Sequence, residues 1–411
     1  METKPEINKK IVIPVMAIAA GILIANVHYT QPILKDMAEA THVTDEKIGK
    51  VYMLAQLGYG LGMFFLLPLG DKLRRKNLTL ILCGLLCIAL LLMSVSTSYT
   101  MLCVLSFLIG VCSTPAQIIL PMAAIVSEDK DRGKTVGKVF GGILVGILGS
   151  RVISGLIGSL LGWRYVFILS AGLVFFAIII LKLFLPDIKS TFKGNYFSLI
   201  KSTLSLIPKF SILRQTAILG AFTFGIFCSF WTTLTFYLSG APFKYDSGTI
   251  GLYGLVAIAG ALIAPYFGKL ADKGSSFKSL LLTVGLIIVS IVMIRVIRDS
   301  VIVLAVSILL LDIGVQATQI TNFARVYSLP KEIHNRLNTV YMTSYFIGGA
   351  IGTFFGLLSW KLGGWGLSTI QMLLWGGGAL FVVLISEYLS RKNIKTENLI
   401  TVNSSKQEER L

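Results

Sequence analysis

Three ionisable side chains stand inside stretches that are otherwise apolar or neutral: His28 in "ANVHYTQPIL", Arg151 in "GILGSRVISG" and Asp312 in "ILLLDIGVQATQI". A charged Arg or Asp at the centre of a membrane helix costs about 2.5–3.5 kcal/mol, so such residues normally face a cavity or a partner. The chemistry they offer is proton transfer coupled to movement. Burial disfavours a charged carboxylate and a nearby guanidinium favours it. The proton affinity of Asp312 would therefore follow its distance from Arg151, which is what coupling to a pH gradient requires. The alternative is a static ion pair that fixes helix register and never titrates. Arg151 has a second use, docking an anionic substrate through its bidentate guanidinium, set against a purely structural one. His28 titrates near neutral pH when unperturbed, or is an interfacial polar residue near the end of its segment.

Helical spacing groups further side chains with these. Asp312, Gln316 and Gln319 fall at i, i+4 and i+7 on one face, with Asn322 following. Phe227 and Trp231 share a face at i, i+4. A polar stripe opposite aromatic rings suits an amphipathic small molecule, although aromatic stripes in membrane segments also serve packing and lipid contact.

The elements that hold these residues are membrane helices. The chain of 411 residues is 55% hydrophobic and only 14% charged, against about 25% charged in a soluble domain. Its apolar residues come in blocks of roughly 20, enough to cross about 30 Å of hydrocarbon as helix. Twelve spans are predicted, at 11–34, 48–69, 78–97, 99–126, 136–161, 164–185, 215–239, 248–268, 279–297, 301–325, 337–360 and 366–389. The first is too long for a signal-peptide core and is expected to be retained. An even span number puts both termini on one side. That side, with the loops sharing it, carries 28 Lys and Arg against 8 on the other, Arg151 being the remaining one. The positive-inside rule makes it cytoplasmic, in the cell membrane. The net charge of +17 is then topology with some attraction to anionic lipid, and nucleic acid is not expected as a partner. Cys83, Cys87, Cys103, Cys112 and Cys228 all fall within spans, an odd set without a Cys-x-x-Cys pair, so packing is expected rather than disulfides or metal.

Landmarks recur at nearly one spacing. Asp71 in "PLGDKLRRKN" matches Asp272 in "GKLADKGSS" at 201 residues; Trp163 matches Trp365 at 202; Ile109–Val111 match Ile313–Val315 at 204. The last register also pairs Glu128, Arg132, Thr135 and Val136 with Glu332, Arg336, Thr339 and Val340. The chain therefore divides into a six-helix half (1–185), a basic cytoplasmic linker (186–214), a second half in parallel repeat (215–389) and a polar tail (390–411) whose composition predicts disorder. Paired halves of this kind are a transporter architecture, with the substrate site between them near the midplane. The repeat fails at the chemistry: Asp312 aligns with Leu108 and Arg151 with Thr353, so neither charge is needed to build a half.

Twelve spans, the long middle loop and the two "D-x-x-x-R/K"-type loops resemble the major facilitator superfamily over nearly the whole chain. Within it, "ANVHYTQPIL", "GSRVISG…GWRYVF" and "RLNTVYMTSYFIGGAIG" resemble the bacterial drug:proton antiporter-type exporters. The resemblance implies the major facilitator fold, all α-helical, working as a monomer. It implies a cavity lined from spans one, four, seven and ten, for which Asn26, Tyr29, Gln31, Gln117, Phe227, Trp231, Gln316, Gln319 and Asn322 are the candidates. It also implies a cytoplasmic gate at Asp71, Arg75 and Lys76, with Asp272 in the second copy. The chain departs from the family pattern in places. Leu67 stands where the loop usually opens with Gly, which the second copy keeps as Gly268. Ser106 and Ile109 stand where span four usually has Arg and Gln, and "GILGSRVISG" carries Arg where span five usually has Pro. The missing Arg is associated in the family with proton transfer, so that mechanism does not carry over, and Arg151 is a candidate substitute. The eight glycines of span five, from Gly137 to Gly162, read as a sliding interface between halves.

"DRGKT" lacks the first glycine and the preceding strand of a phosphate-binding loop, and no His-Glu-x-x-His or nucleophile elbow occurs, so neither an ATP-driven pump nor an enzyme is expected, and no cofactor. The expected function is proton-coupled export of a small amphipathic compound: a drug, a metabolite or a metallophore. Proton-coupled nutrient uptake and a non-transporting sensor on the same fold are the alternatives.

Overall fold

The computed structural model describes residues 9–128, 131–188, 194–272, 276–330 and 333–408, with the side chains of 132–133, 261, 264–272 and 390–408 outside the described set. Among the described residues every regular element is helical. In chain order these are α1 (Lys9–Ala25), α2 (Leu34–Thr41), α3 (Asp45–Lys72), α4 (Arg75–Val95), α5 (Tyr99–Cys112), α6 (Pro115–Val126), α7 (Arg132–Leu161) and α8 (Trp163–Phe184). There follow α9 (Tyr196–Leu204), α10 (Leu206–Lys209), α11 (Ser211–Ser239), α12 (Ser247–Asp272), α13 (Ser276–Val296), α14 (Val301–Tyr327) and α15 (His334–Glu408).

Nine helices among the described residues are long and apolar enough to cross a membrane. The other three of the twelve predicted spans correspond to α1, to α12 and to the second part of α15, none of which is a separate member of the nine. α15 carries non-helical backbone at Gly363 and Gly364, the latter at φ 56°, which glycine adopts without steric cost. Outward-facing side chains fit a lipid surrounding: Leu160, Ile302 and Leu374 are 78%, 77% and 72% exposed, a face water would penalise.

Two predicted spans are broken. The first ends as helix at Ala25 and continues through turns to Ile33. Asn26 Nδ2 donates to the carbonyls of Ile22 and Leu23, competing with the helix ladder, and Pro32 supplies no N–H. The fourth divides at Ser113–Thr114, where Pro115 opens α6 in the first-turn position that tolerates proline. At the chain's end, α15 continues as helix to Glu408, whereas composition predicts a disordered tail. The linker likewise contains α9 and α10.

Helix pairings repeat between the two parts of the chain. α1 packs on α7, α3 on α5 and α4 on α8; correspondingly α11 packs on the first part of α15, α12 on α14 and α13 on the last part of α15. Across the middle, α3 meets α15 and α7 meets α12. Glycine permits two of the closest approaches. A β-carbon at Gly146 would lie 2.2 Å from the Gly21 carbonyl oxygen, and one at Gly155 would lie 2.4 Å from that of Ser247. The glycines of α7 are thus divided in their work: Gly142 and Gly146 seat α1 in the same half, Gly155 seats α12 of the other, and Gly137, Gly141 and Gly149 meet nothing within 4 Å. Only part of that stripe is an interface between halves.

Candidate functional site

The site forms where α1, α3, α7, α11 and α14 converge. α7 carries Arg151 inward, where it is 1% exposed despite its charge. Its Nε donates to Gln31 Oε1 at 2.8 Å. Its Cζ lies 4.4 Å from the Trp231 ring and 5.1 Å from the Phe227 ring, so two aromatic faces of α11 screen the cation. α14 carries Asp312 inward, where it is fully buried. Among the described residues, neither Asp312 carboxylate oxygen and neither terminal nitrogen of Arg151 has a hydrogen-bond partner. The two charges therefore share a neighbourhood without pairing.

His28 is buried with its Nδ1 3.1 Å from the Tyr52 hydroxyl of α3. It stands on the turn that follows α1, enclosed by protein. Nearby, Thr353 donates to Gln56 Oε1 at 2.9 Å, joining α3 to α15 across the halves. Thr353, the repeat counterpart of Arg151, thus holds a bond between halves. In the sequence Thr353 has only a place in the repeat, and neither Tyr52 nor Gln56 is singled out; the polar Gln56 within "MLAQLGYG" is the available signal.

The cavity candidates separate into two groups. Gln117, Phe227, Gln316 and Gln319 line a narrow central pocket of about 20 Å³, closed in by Phe224, Tyr345 and Phe346, which the sequence reading did not single out. The rings of Phe224 and Tyr345 stack at 4.0 Å. Gln117 also lines a larger cavity of about 380 Å³ at one end of the bundle. That cavity is walled by Asp71, Arg75, Leu199 of α9, and His334, Asn335 and Arg336 of α15. The remaining candidates line neither pocket. Asn26 Oδ1 accepts from Ser170 of α8 at 2.5 Å, Tyr29 is buried on the same turn, Gln31 and Trp231 hold Arg151, and Asn322 faces the Thr216 carbonyl of α11.

At the mouth of the large cavity, Arg75 Nη2 donates to Asp71 Oδ1 at 2.6 Å and Arg75 Nε to the Gly70 carbonyl at 3.2 Å. Lys76 follows in the first turn of α4, and the side chain of Asp272 lies outside the described residues. α9 crosses this mouth: Tyr196 donates to the Phe65 carbonyl of α3, and Arg336 of α15 donates to Ser202. The opposite end is drawn together by Lys361 and Glu46 at 2.9 Å and by Trp360 Nε1 donating to Asp45 Oδ2 at 3.4 Å, both between α15 and α3.

The family profile described as Major Facilitator Superfamily matches residues 16–353. The chain is 37% identical over 386 residues to the uncharacterized transporter YgaY of Escherichia coli O157:H7, spanning 92% of this chain and 98% of that one. It is 24% identical over 364 residues to a "Probable sugar efflux transporter" of Helicobacter acinonychis, covering 87% and 90% of the two chains. Its fold is similar to the crystal structure of a bacterial homologue of the human lysosomal transporter Spinster, in an inward-facing and unoccupied conformation, with a TM-score of 0.68 at 13% identity over 93% of this chain and 96% of that one.

Proposed function

This chain belongs to the Major Facilitator Superfamily, as a multi-pass membrane transporter, and from that premise we propose that it exports a small amphipathic compound in exchange for protons. The observation that carries this reading is the buried, unpartnered pair of opposite charges. Arg151 sits on α7 of one half and Asp312 on α14 of the other. Rocking of the halves changes their separation, and with it the preference of Asp312 for its charged or protonated form. A charged Asp312 is stabilised where the halves bring it toward Arg151; a protonated one is neutral and can be carried away from it. Substrate enters through the large cavity, passes Gln117 and meets the aromatic lining of the central pocket, which a conformation opened at the other end would widen. The excess of Lys and Arg on the side of the large cavity and the termini supports reading that side as cytoplasmic, in the cell membrane, and the name of the Helicobacter relative supports an outward direction.

The test uses inside-out vesicles, acidified inside and carrying a pH-sensitive dye, with wild type and Asp312→Asn. A panel of drugs, sugars and carboxylate metallophores is added. Collapse of the gradient by a compound with wild type alone is the expected outcome. Equal responses from both proteins would make Asp312 structural and remove the proton path argued above.

A further inference from the structure

The groups around Arg151 are lopsided in hydrogen bonding. Arg151 Nη1 and Nη2, Gln31 Nε2 and Trp231 Nε1 are all donors, all buried, and none has an acceptor among the described residues. The three side chains that bear them are 1%, 1% and 2% exposed. They belong to one cluster, because Gln31 Oε1 is already taken by Arg151 Nε and the Trp231 ring lies against the guanidinium. Buried donors left without acceptors are costly, and charged ones more so. Asp312, the one carboxylate whose charge acts on Arg151 among the described residues, does not bond to it. It is held on the next helix pair, packed against Gly260, while Arg151 packs against Gly254. Six residues separate these glycines, about 9 Å along α12. Four free donors on three adjoining side chains, two of them on a guanidinium and beside aromatic rings, fit a particular chemistry: an oxyanion with two acceptor atoms, attached to a flat apolar body.

We infer that the substrate carries a carboxylate, held by Arg151 with Gln31 and Trp231, beside an aromatic or similarly flat group. This rests on the transport reading above and names the substrate class of its site. Phe227 is the partition: its ring both lines the central pocket and lies over Arg151. A substrate arriving in that pocket reaches the guanidinium when the Phe227 ring turns aside, and the ring then serves as the wall for the flat group. The specificity-determining residue is Arg151, which replaces the proline of the resembled exporters. A site built this way selects acids over isosteric neutral amides, since an amide presents one acceptor and a donor where only acceptors are wanted.

The experiment is equilibrium binding by calorimetry on the detergent-purified full chain, with no pH gradient. The probes are benzoate, 2-naphthoate and indole-3-acetate, each against its amide. Wild type is expected to bind the acids at least tenfold more tightly, and Arg151→Gln to abolish that preference. Trp231→Phe, which keeps a ring and removes one donor, is expected to weaken acid binding a few-fold and leave the amides unchanged; it serves if Arg151→Gln does not fold. An acid preference that survives Arg151→Gln, or unchanged acid binding in Trp231→Phe, overturns the inference. So does a wild type without acid preference, and in that case the free donors are left for Asp312 in another conformation. That result leaves proton exchange standing, because the vesicle experiment with Asp312→Asn reads it separately.

Discussion

Arg151 and Asp312 lean on one helix at two of its glycines. A β-carbon at Gly254 of α12 would lie 3.2 Å from Arg151 Cβ, and one at Gly260 would lie 2.9 Å from Asp312 Cβ and 3.1 Å from the Leu309 carbonyl oxygen. α12 therefore packs against both charged residues, and its glycines let each approach closely.

Substituting Gly260→Ala pushes α12 and α14 apart, because the atoms met are backbone and the first carbon of a side chain. It is expected to cost about 1–3 kcal/mol of overpacking and to lower transport. Gly149→Ala, which meets nothing within 4 Å, is expected to be neutral or stabilising by up to about 1 kcal/mol. Thermal unfolding in detergent, with flux on the same two variants, separates the cases; equal effects would refute the close-packing argument.

Lys361→Gln removes one of the bonds that draw α15 to α3 at the end opposite the large cavity. Lys361 is exposed and Glu46 partly covered, and the contribution of such a surface pair is about 0.2–1 kcal/mol, enough to shift the two-ended equilibrium up to about fivefold. A cysteine introduced at Thr44 should react faster with an impermeant maleimide in the Lys361→Gln background, and unchanged reactivity argues against a latch.

Asp246 caps α12, its Oδ1 accepting from the backbone N–H and the hydroxyl of Thr249. Those bonds to Thr249, side chain first and backbone next, hold its carboxyl below the usual range. A carboxyl lowered on folding stabilises above its unfolded value, and that contribution is lost as pH falls through the folded value. The cap should therefore hold at full strength from neutral pH down to roughly pH 5, given an ordinary carboxylate near 3.9, and fail below its folded value. Asp246→Asn keeps a capping acceptor and should flatten the acid limb of a Tm-against-pH curve, whereas Asp246→Ala should lower Tm at every pH.

Gln117 is shared by the large cavity and the central pocket. Gln117→Ala should raise KM for transported substrate by several-fold with little change in protons moved per substrate. A changed proton ratio would put Gln117 on the proton path instead.

Much of this site is legible in the chain because charge is costly in lipid. Asp312 and Arg151 stand out by type alone, and helical spacing groups Gln316 with Gln319, which both line the central pocket. The fold is legible through span length and the Asp71–Asp272 and Trp163–Trp365 repeats. What escapes is the identity of neighbours. Asn26 is as polar as Gln31, yet one bonds to its own helix and to Ser170 while the other holds Arg151. Four-residue glycine spacing says that α7 is approached closely, but Gly146 meets α1 and Gly155 meets α12. Spacing along one helix carries no information about which helix arrives.

The linker joins the halves twice over. α9 is bonded to α3 through Tyr196 and to α15 through Ser202, and its Leu199 forms part of the cavity wall. In the cycle proposed above, a segment fastened to both halves would act as a governor, limiting how far the mouth can gape. Residues that never touch the cargo would then set part of the pace, and a longer, unanchored linker would leave the machine with the same grip on its cargo and a different pace.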